Sequence, residues 1–336
     1  MTVSTRITNP GPLELASASA RLEAGEGLIL QFDSAIYQRE DLQLIDGLCA
    51  KHGSQLQVRF YGHNGSCFDG QTLQNLPSVS NLSIDCLHAA RNIDAIAGLG
   101  QLKRLSINVH NLADKEVLRH ANLRSLCSLS LGPTKSSNLN LSHLAEFRDL
   151  ESLFISGQTK GIEALSTLTS LHSLALWCIP SRTSLAFVSS IRGLAHLTIG
   201  LGGRTSIAEV EAPDLKELAV NRVRGLAELL DLGRFPGLTT LTVEDQIQIK
   251  LLEFTQSSSK LKLLKVFNCK ALHTISGLEH LRELEEFRVG LTALDPAHFA
   301  SAPMPPSLKV CTFFTGKDRQ DRQIREALNA RGYAGF

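Results

Sequence analysis

The residues with the widest chemical reach in this chain are its seven cysteines and eleven histidines. Thiolates and imidazoles supply nucleophiles, general bases and metal ligands, but only where spacing brings several together. The cysteines stand at 49, 67, 86, 127, 178, 269 and 311, an odd number at irregular intervals with no C-x-x-C pair. Neither a disulfide framework nor a zinc site follows from such spacing. His172 and His196 come nearest to a pair, yet they hold different places relative to the apolar residues around them, and they read as surface or turn residues. There is no G-x-G-x-x-G after a strand, no G-x-x-x-x-G-K-S/T, no H-E-x-x-H and no G-x-S-x-G. The commonest signatures of nucleotide binding, zinc hydrolysis and serine hydrolysis are therefore missing. Gly98-Leu99-Gly100 and Gly200-Leu201-Gly202-Gly203 read as turns. The expectation is a chain with no catalytic residue, no metal and no cofactor.

Composition agrees with a binding role. The 336 residues can bury a sizeable core, and 34 Lys+Arg against 33 Asp+Glu leave a net charge of +1. That balance carries no electrostatic footprint for nucleic acid or a membrane surface. No apolar run approaches the length of a membrane-spanning helix. The segment from Met1 to Leu30 lacks a secretory apolar core, since Glu14, Ser17, Ser19, Arg21 and Glu23 interrupt it. A reducing cytoplasm is the expected compartment. The 57 leucines are the real anomaly, and leucine in such excess points to a repeated packing unit.

That unit is L-x-x-L-x-L. It recurs with central residues Leu82, Leu105, Leu129, Leu153, Leu174, Leu197, Leu218, Leu241, Leu264, Phe287 and Cys311, at a mean spacing of 22.9. Apolar residues also step by three ahead of several units, as in Ile93, Ile96, Leu99, Leu102 and in Ile162, Leu165, Leu168, Leu171. Three-residue steps suit a 3₁₀ turn feeding each strand. Two weaker units, Leu28-x-Leu30 and Leu56-x-Val58, extend the array upstream at steps of 28 and 26. Between them Leu42, Ile45 and Cys49 mark a helix over roughly 37–52 that stops at Gly53. Residues 318–330 form an amphipathic pattern with Ile324 and Leu328 on one face and Gly332 as its stop. Pro303, Pro305 and Pro306 mark an irregular loop.

The pattern from Leu76 to Phe314 resembles a leucine-rich repeat protein, with short repeats similar to bacterial internalin-type repeats. The resemblance implies an α/β fold: a leucine-rich repeat solenoid with a parallel concave sheet, short 3₁₀ or helical turns on the convex side, and helical caps at both ends. The organisation expected is residues 1–75 as an N-terminal cap with irregular longer repeats, 76–315 as the repeats, and 316–336 as a C-terminal capping helix. The family's asparagine (or cysteine) five residues after the central leucine is missing in all but Cys269, the others being Leu87, His110, Thr134, Gln158, Ile179, Gly202, Val223, Gln246, Thr292 and Gly316. Irregular turns after the strands are expected in consequence. Some bacterial leucine-rich repeat proteins carry a ubiquitin-ligase domain whose nucleophile sits in a Cys-x-Asp motif. Here Cys67-Phe68-Asp69 lies ahead of the regular repeats in a Gly/Ser-containing turn, and reads as a loop.

Side chains alternate along a strand, so two rows of each unit should face outward. One row, from Ser83 to Thr312, includes Phe154, Lys265 and Arg288; the other, from Asp85 to Phe314, includes Trp177, Glu244 and Phe267. Against mostly small neighbours, Phe154 and Trp177 stand out as candidate partner-binding anchors, with Glu244, Lys265, Phe267 and Arg288 as a second cluster. What the resemblance implies is a non-enzymatic scaffold that binds a protein through its concave face. The other possibility is a cytoplasmic inhibitor or immunity-type protein that blocks a toxin or enzyme. Partner identity and oligomeric state are not written in the sequence.

Overall fold

The computed structural model describes residues 4–35, 37–136, 138–229 and 232–335. The chain divides into two compact units, Met1–Leu171 and His172–Phe336.

The first unit contains β1 (Thr5–Thr8), α1 (Pro12–Glu23), β2 (Leu28–Phe32), α2 (Arg39–His52), β3 (Leu56–Tyr61), β4 (Phe68–Asp69), β5 (Asn81–Arg91), β6 (Arg104–Leu112), β7 (Ser128–Leu131) and β8 (Ser152–Ser156). Its strands pair in parallel in chain order, and the short β4 joins the far end of β5. The second unit contains β9 (Ser173–Trp177), β10 (His196–Gly200), β11 (Glu217–Asn221), β12 (Thr240–Glu244), β13 (Leu251–Glu253), β14 (Leu263–Phe267), β15 (Thr274–Ser276), β16 (Glu286–Gly290), α3 (Pro296–Ser301), β17 (Val310–Phe314) and α4 (Asp318–Ala330). Seven of these strands run side by side in parallel, while β13 pairs only with β15.

The register follows the leucines. Leu82 pairs with Leu105 and Leu105 with Leu129, and in the second unit the partners run Leu174, Leu197, Leu218, Leu241, Leu264, Phe287, Cys311. Both apolar residues of each L-x-L pair in these strands turn inward and are buried. The three-residue apolar ladders form 3₁₀ turns, Ile93–Gly98 and Ile162–Thr167 among them. Helix α2 buries Leu42, Ile45 and Cys49 and ends at Gly53, whose φ is 53°. Helix α4 covers 318–330 and buries Ile324 and Leu328, as its pattern predicts. Burial pushes the thiols of Cys49, Cys269 and Cys311 up to about 12, about 11 and about 12, so these three are inert packing groups.

Three expectations are corrected. Upstream, Leu30 pairs with Val58 and Val58 with Leu82, so the inward pair of β3 equivalent to Leu82 and Ile84 is Val58 and Phe60. A two-residue shift keeps every side chain on its own face, so alternation alone does not distinguish the two registers. Ahead of these lie β1, whose Ile7 pairs with Leu30, and α1, neither of which the sequence pattern shows. Helix α1 buries only Leu15, Ala18 and Leu22, too narrow a stripe to stand out among its polar residues.

The turns after the strands are also more regular than expected. The residue four beyond the central position is left-handed at Cys86, Gly157, Cys178, Leu201, Arg222, Asp245, Asn268 and Leu291. In the second unit, the N–H of each from Cys178 to Leu291 donates to the carbonyl of the last residue of the next strand, at 2.7–3.0 Å. A left-handed L-residue costs about 1–2 kcal/mol, and one further ladder hydrogen bond offsets part of that. The turn also swings the next side chain inward, which buries Leu87, Ile179, Val223, Gln246 and Cys269. None of these left-handed residues is β-branched. Where the position holds Val109, Pro133 or Thr315, the left-handed turn is missing, as sterics require. Beside the Pro133 and Gly157 turns, the polar duty falls to Gln158, whose side chain donates to the Gly132 carbonyl and accepts from the Leu139 N–H. The third correction is Ser83, expected to face outward but only 1% exposed.

Arg222, Asp245 and Asn268 join side by side along one rim, Arg222 to Asp245 at 2.8 Å and Asn268 to Asp245 at 2.5 Å. These contacts, the Asn268 hydrogen bond foremost, hold the Asp245 carboxyl below its usual range. Nearby, Arg204 is 6% exposed and pairs with Glu209 at 3.1 Å. Burial alone would raise the Glu209 carboxyl, but the Ser184 hydroxyl, the Leu185 N–H and the Arg204 guanidinium outweigh it and hold it low.

Two outcomes follow. Cys178 is exposed in its left-handed turn, so Cys178→Gly keeps or raises the thermal midpoint, whereas Cys178→Val lowers stability by about 1–2 kcal/mol; equal midpoints would contradict the strained turn. Carboxyls depressed in the fold stabilise it above their unfolded values and lose that contribution as pH falls through the folded ones. Chemical denaturation should therefore show stability dropping below pH 4.5, the ordinary value for Glu209. Glu209→Gln should flatten part of that slope. At neutral pH it should cost about 1–3 kcal/mol, because the buried Arg204 loses its counter-charge.

Candidate protein-binding face

The outward residues of the second unit form an open face whose relief is set by glycines. Trp177, the chain's one tryptophan, pairs in register with Gly200, and its ring lies flat over that glycine: a Cβ there would come within 2.7 Å of the indole. Phe267 repeats the arrangement with Gly290, where a Cβ would meet the phenyl ring at 2.6 Å. Gly290 is followed in register by Phe314, so two phenyl side chains flank one glycine. Trp177 is half-buried, whereas Phe267 is 37% and Phe314 45% exposed. Phe314 stands in the outward row expected from the sequence but is not one of the candidate anchors named there.

The charged candidates are paired. Glu244 holds Lys265 at 2.5 Å and accepts from the Asn221 amide at 3.1 Å. Arg288 is ion-paired with Glu286 two residues earlier on the same strand. The second cluster is therefore brought together as a neutralised polar surround to Phe267.

The first unit presents a different face. Phe154 is half-buried in its outward place on β8, in register with Ser130. Nearer the N-terminus lies a network that the sequence pattern does not reveal. Arg59 binds Asp85 at 2.9 Å, donates to the Gln31 side-chain Oε1 at 3.0 Å, and stacks over Tyr61 at 4.4 Å. The Gln31 amide donates to Thr8, and the Ser83 hydroxyl donates to Asp85, which explains the burial of Ser83. Corrected register would have exposed this network, since it places Gln31, Arg59 and Ser83 in one row.

No protein-family model matches the sequence, and no curated protein matches it. Solved structures do. Internalin C2 of Listeria monocytogenes is 20% identical over 67% of this chain and 83% of its own, with a TM-score of 0.38. A leucine-rich repeat protein of Leptospira interrogans is 16% identical over 92% and 89%, with a TM-score of 0.48. A chain of the Drosophila Toll–Spatzle complex is 15% identical over 95% of this chain, at a TM-score of 0.50. This chain spans about half of that one, 47%. The fold is a leucine-rich repeat solenoid.

Elsewhere in the solenoid, Phe68, Asp69 and His196 make structural contacts. Phe68 is buried against Phe60 and His63. Asp69 caps the following 3₁₀ turn through the Gln71 N–H, and also binds Arg91 and Asn92. The Asn92 hydrogen bond is the main cause holding its carboxyl below the usual range. His196 contacts Glu217 at 3.0 Å. Among the described residues no group of three or more His, Cys, Asp or Glu is placed to hold a metal ion.

The glycine under Trp177 gives a direct test. Gly200→Ala should push the indole off the sheet, shift the emission of the lone tryptophan to the red, and cost about 1–2 kcal/mol of stability. Unchanged emission would show that the ring does not rest on Gly200.

Proposed function

We propose that this solenoid is a non-enzymatic scaffold that binds a protein partner through the open face of its sheet. The observation that carries the reading is the pair of exposed phenyl groups, Phe267 and Phe314, astride Gly290. Apolar rings left in water on a rigid sheet are a cost to the free protein that a partner's surface removes. Aromatic anchors in a preorganised frame carry most of the free energy in many interfaces. Trp177 and Phe154 are the second candidate anchors, with Glu244, Lys265 and Arg288 as polar surround. Within this reading the protein works in the cytoplasm, where its seven unpaired thiols stay reduced.

The test is affinity capture from the source organism's lysate with wild type, Phe267→Ala/Phe314→Ala and Phe154→Ala/Trp177→Ala, each checked for folding by circular dichroism. A partner held by wild type should weaken by about 2 kcal/mol or more per true anchor. Retention by both double variants would remove the open face as the site. If either pair unfolds the chain, its residues belong to the core.

A further inference from the structure

The end of the second unit adds a feature that goes beyond an aromatic patch. A cavity of about 560 Å³ opens between α4 and the strands β16 and β17, bounded by Arg288, Thr312, Phe314, Arg322, Arg325 and Asn329. That volume lies within the range of sites that take small molecules or a few side chains. Phe314 belongs to both features: it walls the cavity and also flanks Gly290 opposite Phe267. Slot and cavity are therefore continuous.

The charges around this cavity are unequally compensated. Asp318 and Asp321, which also border it, sit in the first turn of α4, where unpaired backbone N–H groups favour negative charge. One Asp321 oxygen is already occupied, accepting from the Thr315 N–H at 2.6 Å and its hydroxyl at 2.7 Å. Arg288 has Glu286. Arg322 and Arg325, three residues apart and so on one side of the helix, form no ion pair among the described residues. The cavity thus offers two guanidinium groups engaged in no ion pair, since its two aspartates serve the first turn of α4 and Thr315, beside an exposed aromatic wall. Guanidinium forks match carboxylates in geometry as well as charge.

We propose that this end of the solenoid binds an acidic peptide segment of a partner protein. An apolar side chain of that segment lies over Gly290 between Phe267 and Phe314, and a neighbouring carboxylate enters the cavity to meet Arg322 and Arg325. The proposal rests on the open-face reading above and specifies the chemistry of the partner.

The experiment selects peptides from a random phage-displayed library against the full chain, then measures fluorescein-labelled copies of the selected sequences by anisotropy. Selected peptides should be enriched in Asp or Glu next to an aromatic or aliphatic residue. Arg322→Gln/Arg325→Gln should weaken their binding at least tenfold, while Arg319→Gln, on the same helix but outside the cavity, should leave it unchanged. Affinity should fall several-fold between 50 and 300 mM salt. Peptides without acidic enrichment, indifference to the double substitution, or no selected peptide at all would each overturn the proposal. Peptides lost only in Phe154→Ala/Trp177→Ala would leave the open-face reading standing without this one. Peptides unaffected by either pair of changes, and by Phe267→Ala/Phe314→Ala, would overturn both.

Discussion

One backbone carbonyl per repeat fixes the geometry of this fold. Two residues before the central leucine, a single carbonyl accepts from two consecutive N–H groups of the next repeat. Ser80 receives Lys103 and Arg104, Lys103 receives Cys127 and Ser128, and the pattern continues through His172, Ala195, Lys216, Thr239, Lys262 and Glu285. A carbonyl oxygen has two lone pairs, so this is a fully used acceptor rather than a strained one. Within each unit it starts these strands at the same level as their neighbours. From β9 to β16 the left-handed residue after the strand closes the other end with a further hydrogen bond. Between these two clamps lie five residues, of which two must be apolar and three are free to vary in type.

That constraint explains why the leucines read so clearly. From Leu82 onward, within each unit, the pairing seen in the structure is the pairing of the L-x-x-L-x-L centres, including the degenerate repeat at Cys311. Legibility fails where the clamp is marked by backbone conformation rather than by residue type. Cys178, Leu201, Arg222 and Leu291 share a left-handed φ but no side-chain chemistry. What they share is negative, the absence of a β-branch, and a motif search does not look for that. At the N-terminus the inward positions are occupied by Val58 and Phe60 instead of leucines, so the apolar run could be aligned two residues early without any side chain changing face.

The same clamp makes the outward rows a rigid template. A residue on that face cannot move along its strand, so it gains room only from a small neighbour on the next strand. Gly200 gives Trp177 a bed, Gly290 does so for Phe267, and Gly132 makes way for Asn108, whose side chain a Cβ would meet at 2.4 Å. The candidate anchors were legible from register alone. Their posture was not, because whether a ring stands up or lies down depends on a residue 23 positions away. Phe267 and Trp177 differ from isolated surface aromatics for this reason: each is already held in one orientation before any partner arrives.

The two units spend their outward polar groups differently, and the difference bears on where binding free energy is available. Around Arg59 the groups satisfy one another: Asp85, Gln31, Tyr61, Thr8 and Ser83 leave few hydrogen-bonding sites vacant. A partner docking there would have to break existing contacts to make new ones, and an exchange of that kind gains little. Around Gly290 the situation is reversed. The acids near Lys265 and Arg288 neutralise those two cations, while the phenyl groups stay wet and Arg322 and Arg325 of α4 form no ion pair among the described residues. Burying rings that are already positioned costs little side-chain entropy, and pairing a cation that has no partner displaces only water. The face is continuous in architecture within each unit but uneven in what it can still form, and the part with most left to form lies at the β14–β17 end.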